Sequence, residues 1–156
     1  MGSARSRKSA GILLYRFANH KLQVLLVHPG GPFWKNKDAG VWSIPKGEFD
    51  ENEQALDAAK REMSEETGIL ITGKPIELTP VKQSNKTIYA WAVLQDADPE
   101  KIVSNTFEME WPPRSGFKKI FPEIDKASWF TTEEGKNKVI TAQAAFLTEL
   151  ESLVNG

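Results

Sequence analysis

Two stretches near the start of the chain are apolar with almost no alternation. They are Ser9 to Phe17 (Ser-Ala-Gly-Ile-Leu-Leu-Tyr-Arg-Phe) and Lys21 to His28 (Lys-Leu-Gln-Val-Leu-Leu-Val-His). Runs of this length between turn residues predict strands buried on both faces, and Asn19-His20 suits the hairpin turn between them. A Gly/Pro-rich loop from Pro29 to Gly40 leads to a short predicted strand, Val41 to Ile44, broken by Pro45-Lys46-Gly47. From about Glu53 to Thr67 the period changes to that of a helix. Ala55, Leu56, Ala59 and Met63 form its apolar stripe, and Gly68 is placed to cap it in the left-handed conformation. Strands are expected at Ile69–Ile71, Ile76–Gln83, Thr87–Leu94, Ile102–Glu110 and Ala127–Phe130, with a turn at Asp96–Glu100 and a loop from Trp111 to Gly116. Thr131-Thr132-Glu133-Glu134 reads as a helix N-cap with an acidic first turn. A last helix, Thr141 to Val154, is expected to bury Ala142, Ala145, Phe146, Leu150 and Leu153. Strands first, a central helix and a terminal helix imply a mixed sheet between helical layers, an α/β fold.

Bulk properties narrow the function. A chain of 156 residues fits one domain, here residues 9–156 after a disordered leader, residues 1–8. The net charge of −1 gives no reason to expect a nucleic-acid or membrane partner, and the absence of cysteine excludes disulfides, thiol catalysis and zinc–thiolate sites. No apolar run approaches the roughly 18 residues of a membrane span, and no signal-peptide core is visible, so a cytoplasmic protein is expected. Met1-Gly2-Ser3-Ala4-Arg5-Ser6 fits the loose myristoylation pattern, but a basic leader explains it as well.

The chemistry concentrates at the end of the central helix. Glu62 and Glu65 are three residues apart and Glu62 and Glu66 four, so the three carboxylates share one helix surface. Like charges at these spacings cost about 0.2–0.5 kcal/mol per pair. They also stand in the last turn, where the helix dipole is already negative. Folding alone does not favour this arrangement. A divalent cation would reverse both effects, and oxygen ligands suit Mg²⁺ or Mn²⁺. A solvated acidic helix face, eased by Lys60 and by Arg61 at i+4 from Glu65, is the competing explanation.

The wider spacing separates the two. Gly47, Glu53, Arg61, Glu62, Met63, Glu65, Glu66, Gly68 and Ile69 follow the pattern Gly-x5-Glu-x7-Arg-Glu-U-x-Glu-Glu-x-Gly-U, where U is apolar. Seven fixed identities at these offsets arise by chance about once in 10⁸ starting positions, at about 7% per residue type. This pattern resembles the signature of the Nudix hydrolase family. It covers 23 residues directly, and the surrounding strand pattern extends the likeness over most of the chain.

The resemblance implies an α/β/α sandwich and hydrolysis of a diphosphate linkage in a nucleoside diphosphate joined to another group. It implies that Glu62, Glu65, Glu66 and the main-chain carbonyl of Gly47 hold Mg²⁺, with Glu62 also a candidate to act on the attacking water. Arg61 and Glu53 are expected to orient the loop and carboxylates. Family members place a further base or metal ligand outside the motif. Glu123, in Phe121-Pro-Glu-Ile-Asp, is the candidate here, with Glu108 and Glu110 as rivals on one strand face. Lys46 adjoins the motif and is a candidate phosphate contact. The run Trp42-Ser-Ile-Pro-Lys-Gly47 looks more like the dinucleoside polyphosphate, diphosphoinositol polyphosphate and nucleotide-sanitising branches.

For the nucleotide itself, Phe33, Trp34, Tyr89 and Trp111 are candidates for base stacking, with Phe33 and Trp34 ranked above Trp91 and Trp129 because they lie in an aperiodic loop. Arg114, in a Pro/Gly loop, is a candidate for a terminal phosphate. His20 and His28 show no partner pattern and read as turn and strand-end residues. The leading expectation is a Mg²⁺-dependent pyrophosphohydrolase of nucleoside polyphosphates, dinucleoside polyphosphates or triphosphates, monomeric or homodimeric. ADP-ribose, nucleotide-sugar and diphosphoinositol polyphosphate hydrolysis are the alternatives within the enzyme class. A non-catalytic nucleotide-binding module is the alternative outside it. A structural calcium site is disfavoured, because the ligands lie on a helix and not in a loop of alternating Asp and Asn.

Overall fold

A computed structural model describes residues 7–155. The first apolar run becomes β1 (Arg7–Ala18) and the second β2 (Lys21–Pro29), paired antiparallel through a two-residue turn. Asn19 and His20 take φ of 52° and 64°, as a tight hairpin following the strand twist requires. β1 therefore begins two residues before the expected strand, so Arg7 and Lys8 belong to the sheet and not to the leader. Residues 1–6, with the myristoylation-like pattern, lie outside the described residues.

β1 is the spine of the molecule. On one edge it pairs with β2, which continues to β9 (Ile124–Thr131). On the other it pairs parallel with β6 (Lys86–Leu94), whose outer edge carries β4 (Ile76–Glu77) and β5 (Val81–Gln83). At its start β1 also pairs with β3 (Lys46–Glu48), completing a seven-stranded mixed sheet. A separate hairpin is formed by β7 (Thr106–Glu110) and β8 (Lys118–Pro122).

Both sheet faces are covered, which is why β1 and β2 carry no polar alternation. Ala10, Ile12, Leu14, Leu25 and Val93 face α1 (Ala55–Thr67) and meet its Ala58, Ala59 and Met63. Leu13, Tyr15, Val24, Leu26, Ile88 and Ala90 face the other way. They pack against Phe146, Leu147 and Leu150 of α3 (Ala144–Asn155). α2 (Thr132–Lys138) lies beside α3 and opens with a capping box between Thr131 and Glu134. The fold is the expected α/β/α sandwich. Among the described residues, no helix is long and apolar enough to cross a membrane.

Several element boundaries differ from the sequence reading. Val41–Ile44 makes only isolated bridges, and the strand forms at Lys46–Glu48, where β1 offers its open edge. Ile69–Ile71 is irregular, although Ile69 and Ile71 still pack on the α1-side core. Pro80 divides the expected strand 76–83, since it has no N–H to donate to β6. α1 starts two residues late because Glu53 sits in a turn, its N–H donating to the carbonyl of Asp50. In the last helix a 3-10 turn at Thr141–Gln143 rotates the buried face, so Leu147 and Gln143 are inside while Ala145 and Leu153 are exposed.

Candidate active site

Antiparallel pairing with β1 holds β3 beside the last turns of α1. Ala10 lies opposite Gly47, and both face the helix. Glu62 lies flat on Gly47: a Cβ at that position would stand 2.0 Å from its carboxyl carbon. Only glycine permits this approach. One turn further along the helix, Glu66 Oε1 accepts a hydrogen bond from the Lys46 N–H at 3.1 Å. The carboxylates of Glu62 and Glu66 thus flank the 46–47 backbone. Gly68 ends the helix with φ of 77°, in the left-handed conformation expected of it.

Arg61 organises the remaining charge. Its Nε and Nη2 grip both oxygens of Glu53 at 2.8 and 2.9 Å, while Nη1 donates to Glu62 at 2.6 Å and Glu65 at 2.8 Å. The fork explains how like charges coexist on this helix. Glu53 is held below its usual range by the guanidinium, and Arg61 is in turn raised, chiefly by Glu53. Glu62 is raised, mainly by burial, with Arg61 opposing. Glu66 is pushed up from 4.5 to about 8, first by burial and then by the charges of Glu62 and Glu123, against the hydrogen bond and charge of Lys46. Lys46 is brought down from 10.5 to about 8, first by burial and then by the charge of Lys86.

A cavity of about 270 Å³ opens beside this cluster, and Trp34, Lys46, Glu66 and Glu123 line it together with Val27, Ile44 and Ile140. Four residues singled out from the sequence meet there from two loops, the start of β3 and α1. The β7–β8 hairpin braces one side. Phe107 packs on Gly31, while Gly30 donates to the Glu123 carbonyl at 2.8 Å.

Other candidates are placed elsewhere. Phe33 is exposed and meets Trp111 edge-to-face at 5.6 Å, outside the cavity lining. Tyr89 faces α1 and its ring meets Phe49 at 6.1 Å, outside the cavity lining. Arg114 sits exposed in the hairpin turn with φ of 62°, its N–H held by Glu110, and does not reach the cavity. Glu110 caps that turn and Glu108 lies 3.8 Å from Lys118, which leaves Glu123 as the acidic residue from this region at the cavity. Trp91 and Trp129 pack against the α1-side core, and Trp42 is buried with its indole N–H on Asp38.

Two residues had no legible signal. His28 is fully buried, its Nδ1 2.9 Å from Asp125 and its Nε2 2.6 Å from the Lys37 carbonyl, tying the 29–40 loop to β9. Buried Gln143 accepts from the Ile44 N–H and donates to Ser43 and Gln83, fixing the cavity wall. A histidine at a strand end and a glutamine in a helical stretch are both ordinary in sequence.

Among the described residues, no three acidic or histidine side chains converge on one point, and Arg61 holds Glu62 and Glu65. The donor set nonetheless fits a hard divalent ion. It offers carboxylate and carbonyl oxygens only, a glycine that keeps the backbone open, and a half-buried carboxylate, Glu66, with one hydrogen bond.

The NUDIX domain model matches residues 5–150, and the chain belongs to the Nudix family. Nudix hydrolases generally use divalent metals such as Mg²⁺. An RNA pyrophosphohydrolase of Bartonella henselae is 39% identical over 70 residues. That alignment covers 40% of this chain and 36% of the relative, so the match spans about a third of the relative's length. Among solved structures, an Ap4A hydrolase of C. elegans in a binary complex superposes with a TM-score of 0.64 at 21% identity, covering 96% of this chain and 98% of that one. The NUDIX domain of Shewanella oneidensis NrtR, solved with ADP-ribose, gives 0.63 at 15% identity, covering 99% and 91%. These likenesses are of fold.

Proposed function

We propose that the chain is a Mg²⁺-dependent pyrophosphohydrolase of nucleoside polyphosphates, with dinucleoside polyphosphates or triphosphates as its substrates. One observation carries this reading. Glu66 belongs both to the carboxylate cluster on Gly47 and to the lining of the cavity that holds Trp34, Lys46 and Glu123. A nucleotide whose base enters that cavity would lay its phosphates across the 46–47 backbone.

In this reading Glu62, Glu65, Glu66 and the Gly47 carbonyl hold the metal, which when bound would neutralise phosphoryl oxygens and acidify water. Trp34 stacks the base, and the Lys46 ammonium offsets phosphate charge. Glu123 faces the same space and takes the proton of the attacking water as the phosphorus–oxygen bridge breaks. Arg61 aligns Glu62 and Glu65 through its fork without touching substrate. Such a reaction needs positioning and charge neutralisation more than covalent help.

The test is turnover with Mg²⁺ or Mn²⁺ of diadenosine tetraphosphate, a nucleoside triphosphate, ADP-ribose, a diphosphoinositol polyphosphate and a 5′-triphosphorylated RNA, with products identified. Polyphosphate nucleotides are expected to lead. The RNA tests the activity named for the Bartonella relative, and ADP-ribose the ligand of the NrtR domain. Glu65→Gln and Glu66→Gln are each expected to lower kcat at least about a hundredfold while the fold is kept. Full activity in both would refute the metal assignment, and no turnover of any diphosphate would favour a binding module.

A further inference from the structure

The face of the sheet turned away from α1 carries a cluster of which the catalytic reading uses Lys46 alone. Side chains of paired residues share a sheet face. The pairs Arg7–Lys86, Ser9–Ile88, Ser9–Glu48 and Gly11–Lys46 therefore set Arg7, Ser9, Lys46, Glu48 and Lys86 on one side, opposite to Gly47 and Glu62. Gly11 makes room for the group: a Cβ there would lie 2.5 Å from the Pro45 carbonyl oxygen and 2.8 Å from Lys46 Cβ.

Ser9 stands between the two lysines on this grid, diagonal to each. It is fully buried, and its hydroxyl has no hydrogen-bond partner, the one such buried side-chain atom among the described residues. A buried polar group without a partner calls for a specific cause. Lys46 reaches this face from β3 and Lys86 from β6, one on either side of Ser9. Arg7 stands at the rim, 3.7 Å from Glu48. Two cations flanking an unsatisfied hydroxyl are costly for folding alone, and an oxyanion between them would convert that cost into charge-assisted hydrogen bonds. Lys46 also lines the substrate cavity, so the cluster adjoins the place where substrate phosphates would lie.

We propose that Lys46, Lys86 and Ser9 form a phosphate subsite that takes a phosphate beyond the two joined by the cleaved linkage. It rests on the reading of the site as one that cleaves diphosphates. The lysines supply charge from either side and the Ser9 hydroxyl donates from the floor once their flexible stems part. The subsite selects substrates with three or more phosphates, whereas a two-phosphate compound such as ADP-ribose leaves it empty.

Isothermal titration of the full chain with inorganic tripolyphosphate, in metal-free buffer at low salt, tests the subsite apart from catalysis. Wild type is expected to bind. Lys86→Met should weaken binding about tenfold and Ser9→Ala about threefold, while Lys86→Arg restores most of it and the surface control Lys82→Met leaves it unchanged. Thermal melting verifies that each variant folds. No binding by wild type, or equal binding by wild type and Lys86→Met, overturns the proposal. In turnover, Lys86→Met should raise KM for diadenosine tetraphosphate about tenfold and leave that for ADP-ribose unchanged. An equal rise for both also overturns it. A chain that hydrolyses no diphosphate yet binds tripolyphosphate through Lys86 would refute the hydrolytic reading and uphold the subsite.

Discussion

Glu66 and Lys46 exchange charge with the solvent in opposite senses. Burial leads both shifts, raising the acid to about 8 and lowering the base to about 8. The folded chain binds the Glu66 proton more tightly than the unfolded chain does. Its contribution to stability is therefore full below about pH 4.5 and is lost as pH rises through about 8. Lys46 behaves conversely: its contribution is full above about 10.5 and is lost as pH falls through about 8. The metal-free protein should thus have a stability minimum near pH 8, with a fall from pH 5 on the order of a few kcal/mol. Urea unfolding across that range measures it. Glu66→Gln should flatten the acid side, and an unchanged slope in that variant would contradict the burial argument. If Glu66 holds the metal as proposed, binding must displace its proton, and Mg²⁺ affinity should rise over the same window.

At the scale of elements, the site depends on one contact, that of β3 with α1. Gly47→Ala places a methyl group within the Glu62 carboxylate, and the side chain must leave the backbone. The expected result is a loss of Mg²⁺ affinity of about tenfold or more with only modest destabilisation, since a carboxylate can rotate into solvent where a buried core cannot yield. Calorimetric titration with Mg²⁺ reads the first effect and thermal melting the second. Wild-type affinity in Gly47→Ala would show that Glu62 does not act from its position on the backbone. This contact was half legible. The spacing placed Gly47 and Glu62 in one motif, but the strand was expected at Val41–Ile44. What moved it to Lys46–Glu48 is the open edge of β1, a partner that lies more than thirty residues away in sequence.

For the molecule as a whole, two cores share one sheet and only one of them supports the carboxylates. Phe146 is fully buried on the face away from α1, among Leu13, Val24 and Leu26. Phe146→Ala should cost about 3–5 kcal/mol of stability while KM stays near the wild-type value under conditions where the chain remains folded. Denaturant unfolding and steady-state kinetics measure the two. A large change in KM in the folded variant would show that the cores are coupled across the sheet.

Local pattern and fixed spacing determined much of this protein. Apolar runs placed β1, β2 and β6, helical period placed α1, and the offsets from Gly47 to Ile69 named the chemistry. All of these are interactions between near neighbours, which sequence separation reports directly. The cavity is different. Trp34, Lys46, Glu66 and Glu123 come from separate segments, and their meeting was decided by how loops pack around β2, β9 and the β7–β8 hairpin. The same holds for the roles of His28 and Gln143, and for Tyr89, whose direction was set by which face of β6 met α1. The chain encodes its reaction in a short helix-borne motif because that geometry is local. The cavity proposed to receive the substrate is assembled from distant segments, so only tertiary packing reveals it.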